Sequence, residues 1–124
     1  MNHETKLKYL KIALALIGTF FIFGIYLAMH FLPDSWGWTP SQYEYEQMII
    51  GIYATLGVFL LLAIKDPMAN KSLIWFTIWS SVVHGGIMFV QALVDTTDRA
   101  NLHGDIPALF GVAIVLAYLM PKSR

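Results

Sequence analysis

Residues 65–95 read KDPMANKSLIWFTIWSSVVHGGIMFVQALVD, and this stretch decides the fold. Lys65 and Lys71 stand at one end and Asp95 at the other. Between them, residues 72–94 are apolar except for a few hydroxyls and amides, and their only ionisable side chain is His84. At 1.5 Å rise per residue such a run reaches about 34 Å, enough to cross a hydrocarbon layer of about 30 Å. The stretch therefore predicts one transmembrane helix with lysines on one side of the membrane and an aspartate on the other.

Three more apolar stretches flank it, and the predicted spans are 10–32, 46–64, 73–94 and 105–120 in a single domain covering residues 1–124. Lys6, Lys8 and Lys11 precede the first span, Lys65 and Lys71 separate the second and third, and Lys122 and Arg124 follow the fourth. The other two connections hold only Arg99 as a positive residue. Lys and Arg are retained on the cytoplasmic side. The expected fold class is therefore an all-α membrane protein: a four-helix transmembrane bundle, N-in and C-in. Glu4 and Asp66 fall inside, while Asp34, Glu44, Glu46, Asp95, Asp98 and Asp105 fall outside, giving a net charge of about +5 inside and −5 outside. The inner face suits anionic lipid of the bilayer. No basic patch of the kind that nucleic acid requires is present.

Composition agrees. The 124 residues are 57% hydrophobic and 13% charged, about half the charge of a typical soluble domain. Without cysteine, disulfides, thiolate metal sites and cysteine chemistry are excluded. The basic leader and first apolar run have the layout of a secretory signal. That run is too long, however, and Ala28-Met29-His30 offers no small-x-small cleavage site, so it is expected to remain as a helix stopped by Pro33. The expected location is a cell inner membrane, multi-pass, with both termini cytoplasmic.

The first outer loop carries Trp36, Trp38, Tyr43 and Tyr45, rings that belong at headgroup level. Thr39-Pro40-Ser41-Gln42 reads as the start of the second helix, with Thr39 as N-cap and Pro40 at N1. The short connection at 65–67 predicts that helices two and three are antiparallel neighbours. Asp105 is expected to cap helix four, whose residues 106–120 reach only about 22 Å. That helix must start earlier, meet a thinner bilayer or be shielded by its neighbours. Small residues mark expected close approaches: Gly24 and Ala28, then Gly51, Ala54 and Gly57, then Gly85 and Gly86, then Ala113 and Ala117.

Chemistry concentrates on helix three. Ser80, His84, Met88, Gln91 and Asp95 recur every three or four residues and share one helical face. His84 is near mid-membrane, where an ionisable group is costly and faces a bundle interior, cavity or ligand. Two roles fit it. One is contact with a hydrophobic ligand, a proton relay or a metal ligand. The other is a neutral imidazole bonded to Ser80, Ser81 or a neighbouring helix, tying the bundle together. Ser80, Ser81, Gly85 and Gly86 leave expected room beside the ring for a quinone head group or a haem, but a His30–His84 haem is disfavoured by depth, His30 lying about 10 Å or more from His84 along the axis.

A second group gathers at the outer rim, where His30, His103 and Asp105 among the carboxylates could ligate a divalent metal through nitrogen and oxygen donors. Met29, Met48, Met88 and Met120 are scattered in depth and read as packing. The hydroxyls of Tyr26 and Tyr53 are expected to bond helix carbonyls. Ser80 or Ser81 with His84 makes no hydrolase arrangement, lacking an acid at that depth, and no phosphate loop is present.

The length, the span count and the segment Trp79-Ser80-Ser81-Val82-Val83-His84-Gly85-Gly86 loosely resemble small bacterial DoxX-like membrane proteins. That resemblance covers the whole chain and implies a four-helix layout without assigning any functional residue. The small multidrug exporters match poorly, since their membrane-embedded glutamate in helix one has no counterpart here. The expected function is a non-enzymatic accessory or scaffold subunit, homo-oligomeric or part of a larger membrane complex, with a hydrophobic ligand at the His84 face. The alternatives are a redox accessory subunit binding quinone, haem or metal, and a small dimeric transporter.

Overall fold

The structure, a computed structural model, describes residues 2–36 and 43–121. The expected cap at Thr39 and Pro40, the ring of Trp38, and Lys122 and Arg124 lie outside the described residues, as do the side chains of Asp34 and Asp98.

Four helices are long and apolar enough to cross a membrane: His3–Phe31, Glu44–Lys65, Pro67–Val94 and Arg99–Leu119. Between 17% and 33% of each apolar window is buried inside the bundle, so most of each apolar surface faces outward. Large exposed side chains such as Leu16, Phe23, Ile52, Phe76, Val83 and Ile114 form that outer surface. An apolar belt of this extent needs hydrocarbon around it, and every backbone polar group must then be satisfied within its helix. Thr55 Oγ1 and Thr77 Oγ1 follow the same rule, each donating to the carbonyl four residues earlier, Gly51 and Leu73.

The first span has three parts: α1 (His3–Thr19), a π-helical turn at Phe20–Gly24, and α2 (Ile25–Phe31). The Asn2 side chain caps α1 by accepting the Thr5 N–H at 2.8 Å. Leu32 leaves the helical region, at φ −130° and ψ 56°, as a residue before proline is pushed to do. Pro33 then opens a single turn, α3 (Pro33–Trp36). The second span is α4 (Tyr43–Leu62), tightening to a 3-10 turn at Ala63–Lys65. Asp66 caps the next 3-10 turn, Pro67–Asn70, by accepting the Ala69 N–H, and α5 (Lys71–Val94) follows. A 3-10 segment, Thr96–His103, leads into α6 (Asp105–Leu119). The helical path of the last span therefore starts at Arg99, which supplies the length that residues 106–120 lack. Gly104, not Asp105, is the N-cap of α6. A Cβ there would meet the Ser35 carbonyl oxygen, so the close approach of α3 demands glycine.

The packing order differs from the expected one. The first span packs on α4 and α6, and α5 packs on α6, while α4 and α5 touch only sparingly despite their short connection. The physical reason lies in the glycines. Gly18 and Gly57 face each other so closely that a Cβ on Gly18 would sit 3.0 Å from the Gly57 carbonyl oxygen, and one on Gly57 2.6 Å from that of Gly18. Gly85 admits the Phe110 ring of α6, with a Cβ meeting it at 3.3 Å. Gly51 and Gly86 have nothing within 4 Å of a would-be Cβ, so they join no close crossing, and the space at Gly24 is taken by its own helix's Phe20 ring. Ala113 is buried but Ala117 is exposed.

Lys6 lies with its ammonium 5.4 Å from the centre of the Tyr118 ring, so the beginning of α1 and the end of α6 share one end of the bundle. The 3-10 turns at 63–70 pack against α1 at that same end, and α3 packs against Thr96–His103 at the opposite one. The first end carries Lys6, Lys8, Lys11, Lys65 and Lys71 with Glu4 and Asp66; the second carries Glu44, Glu46, Asp95 and Asp105 with Arg99. The larger core, around Leu10, Leu14, Leu60, Ile74 and Leu116, fills the lysine half. A smaller core of Met88, Ala92, Ile106 and Leu109 fills the acidic half, and Tyr53 packs against both.

Candidate functional site

Between the two cores, where α4 and α5 stand apart, the bundle holds a partly open cavity of about 40 Å³. A single water needs about 10–15 Å³ by that measure, so the space holds a few waters or a compact head group. Its polar groups are Tyr53 and Glu46 from α4, His84 from α5 and Asp105 from α6. Its rings are Phe20 and Phe21 from the first span, Trp36 from α3 and again Tyr53.

Local geometry explains how each arrives there. Successive residues on a regular α-helix diverge by about 100°. The π turn at Phe20–Gly24, in which the Ile25 N–H bonds the Phe20 carbonyl, widens the helix so that Phe20, Phe21, Ile25 and Met29 all line one space. On α4, Glu46, Ile49 and Tyr53 recur at three and four residues and so share a face. The Gly18–Gly57 contact one turn beyond draws that face against the first span, setting the Tyr53 ring edge-on to Phe21 with centroids 4.9 Å apart. His84 and Met88 enter from α5, four residues apart. The Trp36 ring stands edge-on to Phe20 at 5.7 Å and lines the cavity.

The centre of the site is one hydrogen bond. Tyr53 Oη and His84 Nδ1 are 2.6 Å apart, and the two rings are tilted by only 29° with centroids 5.9 Å apart. If the phenol donates, Nε2 carries the imidazole proton; if Nδ1–H donates, the phenol proton is left for another acceptor. The bond joins the two helices that otherwise hardly touch, so the partner of Tyr53 is an imidazole across the bundle rather than a helix carbonyl. Near the acidic end, Asp105 Oδ1 accepts from Asn101 Nδ2 at 3.0 Å.

The helix-three face predicted from spacing divides. His84 and Met88 line the cavity, whereas Gln91 and Asp95 are exposed. Ser80 is half-buried and donates to the Thr77 carbonyl at 3.3 Å, and Ser81 is buried in the helix packing. The room beside the imidazole lies toward α4, α6 and the first span, not toward Gly85, which is occupied by Phe110. Nor are the proposed metal ligands gathered: among the described residues no three His, Asp or Glu side chains converge. His30 is exposed, stacked on Tyr26 and edge-on to Phe31, and His103 is exposed, while Asp105 turns inward. Sequence reasoning missed Glu46, Trp36 and the Phe20–Phe21 pair. The spacing of Glu46, Ile49 and Tyr53 was a usable signal; the π turn left none.

A family model described as a family of unknown function (DUF6632) matches residues 4–124. The chain belongs to DUF6632. No curated protein and no solved structure matches it. Membership of DUF6632 assigns no activity and does not bear on the DoxX-like resemblance; the cavity residues all fall within the matched region.

Proposed function

We propose that this protein is a non-enzymatic, multi-pass protein of a bacterial inner membrane, with both termini in the cytoplasm, and that it serves as an accessory or scaffold subunit. It works beside a second copy of itself or within a larger membrane complex. Its cavity receives a hydrophobic ligand whose polar head reaches the Tyr53–His84 pair. The observation that carries this reading is that hydrogen bond, set in a partly polar cavity with aromatic rings in its wall, inside a bundle whose core is mostly apolar. Polar side chains within a span are costly, and the cavity gathers Tyr53 and His84 there, with Glu46 and Asp105 toward its acidic end. A purely structural tie between α4 and α5 needs no such cavity.

The aromatic walls also suit a planar quinone head, which keeps the redox subunit as the second reading. A bis-histidine haem has no support from His30, which stacks on Tyr26 at the exposed surface. The test is purification in lipid discs, followed by an absorption spectrum, metal analysis and mass spectrometry of the extracted lipophiles. The reading expects a lipophile that co-purifies with the wild type and is lost in His84→Ala, without a visible band. A visible chromophore or one metal per chain, lost in His84→Ala, would replace it with the redox reading.

A further inference from the structure

Resting on the ligand-pocket reading above, we infer that the cavity takes the cationic head of an amphiphilic amine, whose apolar tail lies in the groove between α1 and α6. Three observations converge on this chemistry. The lining residues include two carboxylates, Glu46 and Asp105, and no lysine or arginine. A phosphate, sulfate or carboxylate head would therefore meet like charge in a lining that holds no lysine or arginine, while an ammonium meets opposite charge. Four aromatic side chains, Phe20, Phe21, Trp36 and Tyr53, stand in the walls, and ring faces attract a desolvated ammonium.

The shape supplies the third. About 40 Å³ suffices for a head group but not for a chain. Phe20, Ala108 and Val112 belong both to this cavity and to an open groove of about 360 Å³ on the lipid side, which is lined otherwise by Ala13, Leu16, Ile17, Gly111 and Val115. Every one of those groove residues is apolar. A Cβ on Gly111 would touch nothing within 4 Å, so the groove is bare at that point. Head and tail compartments thus adjoin across Phe20, Ala108 and Val112, the first with carboxylates in its wall and the second purely apolar.

The test uses the full chain in phosphatidylcholine discs with three twelve-carbon probes: dodecylamine, dodecanol and dodecanoate. Binding is read by native mass spectrometry and by calorimetric titration. Dodecylamine should bind one per chain at least tenfold more tightly than dodecanol, with dodecanoate weaker still. Glu46→Gln should erase most of the amine preference while leaving dodecanol affinity unchanged. Gly111→Phe should weaken both the amine and the alcohol about tenfold by filling the groove, far from the Tyr53–His84 bond. Circular dichroism and elution volume report whether each variant folds. Added phosphatidylethanolamine that competes with dodecylamine identifies the amine source as a resident lipid; without competition, it is a free amphiphile. Equal affinity for all three probes, each lost in His84→Ala, would overturn the cation inference and leave the pocket reading standing. No binding of any probe to folded protein would overturn both.

Discussion

The Tyr53–His84 bond should behave as the main polar link between α4 and α5, and its worth follows from its setting. At 2.6 Å and half-buried, it resembles the interhelical hydrogen bonds of membrane bundles, which average about 0.6 kcal/mol and reach about 1.7. Tyr53→Phe keeps the ring and its edge-on contact with Phe21 and removes only the hydroxyl. In a dry core the orphaned Nδ1 would add about 1–3 kcal/mol. Here the adjoining cavity of about 40 Å³ has carboxylates in its wall and room for water, so a water can replace the lost partner. The expected total for Tyr53→Phe is therefore about 1 kcal/mol, at the low end of those ranges. His84→Ala also deletes a half-buried ring and should cost about 2–3 kcal/mol. The double variant should fall short of additivity by about 1 kcal/mol, the coupling of the pair. Reversible unfolding of all four proteins in mixed micelles or bicelles measures it. Additivity within about 0.3 kcal/mol would refute the claim that this bond ties the helices together.

The glycines give a sharper packing contrast. Gly57→Ala places a Cβ 2.6 Å from the Gly18 carbonyl oxygen and should destabilise by about 1–3 kcal/mol, whereas Gly51→Ala meets nothing and should be neutral or slightly stabilising; equal effects on the unfolding midpoint would contradict the crossing described. Because the chain has no cysteine, single cysteines report topology cleanly. Lys71→Cys should react with an impermeant maleimide only from the cytoplasmic side, and Asp95→Cys only from the other; labelling of both from one side would end the four-span reading. Trp36→Phe should remove a large part of the change in tryptophan emission produced by one equivalent of unlabelled dodecylamine, since Trp36 lines the cavity while Trp75 and Trp79 are exposed on α5; an undiminished change would locate the probe elsewhere.

Much of the layout is legible in residue order, because the forces that set it are one-dimensional. An apolar run of sufficient length must be a helix in hydrocarbon, whatever it packs against. The helices found at His3–Phe31, Glu44–Lys65 and Pro67–Val94 therefore overlap the predicted spans closely, and Pro33 ends the first as expected. The candidate site was half legible. His84 stood out as the lone ionisable side chain of its span, and Met88 lay on its face. Ser80, Gln91 and Asp95 shared the spacing but not the cavity, because a face of period 3.6 is wider than the strip that one neighbouring helix leaves open. His30 and His103 share the acidic end with Asp105, yet only Asp105 lines the cavity.

By itself, the order of residues determined that this chain makes four apolar helices with its lysines at one end and most of its carboxylates at the other, since burial in lipid and charge retention act on each segment separately. Which helices touch was decided only in three dimensions. Gly18 meeting Gly57, and Phe110 filling the space at Gly85, drew α4 to the first span and α5 to α6. That pairing opened a gap between consecutive helices, and a π turn no pattern announces turned two phenylalanines into it. Tyr53 and His84 came together across that gap because close packing is a property of pairs of surfaces, which no single segment carries.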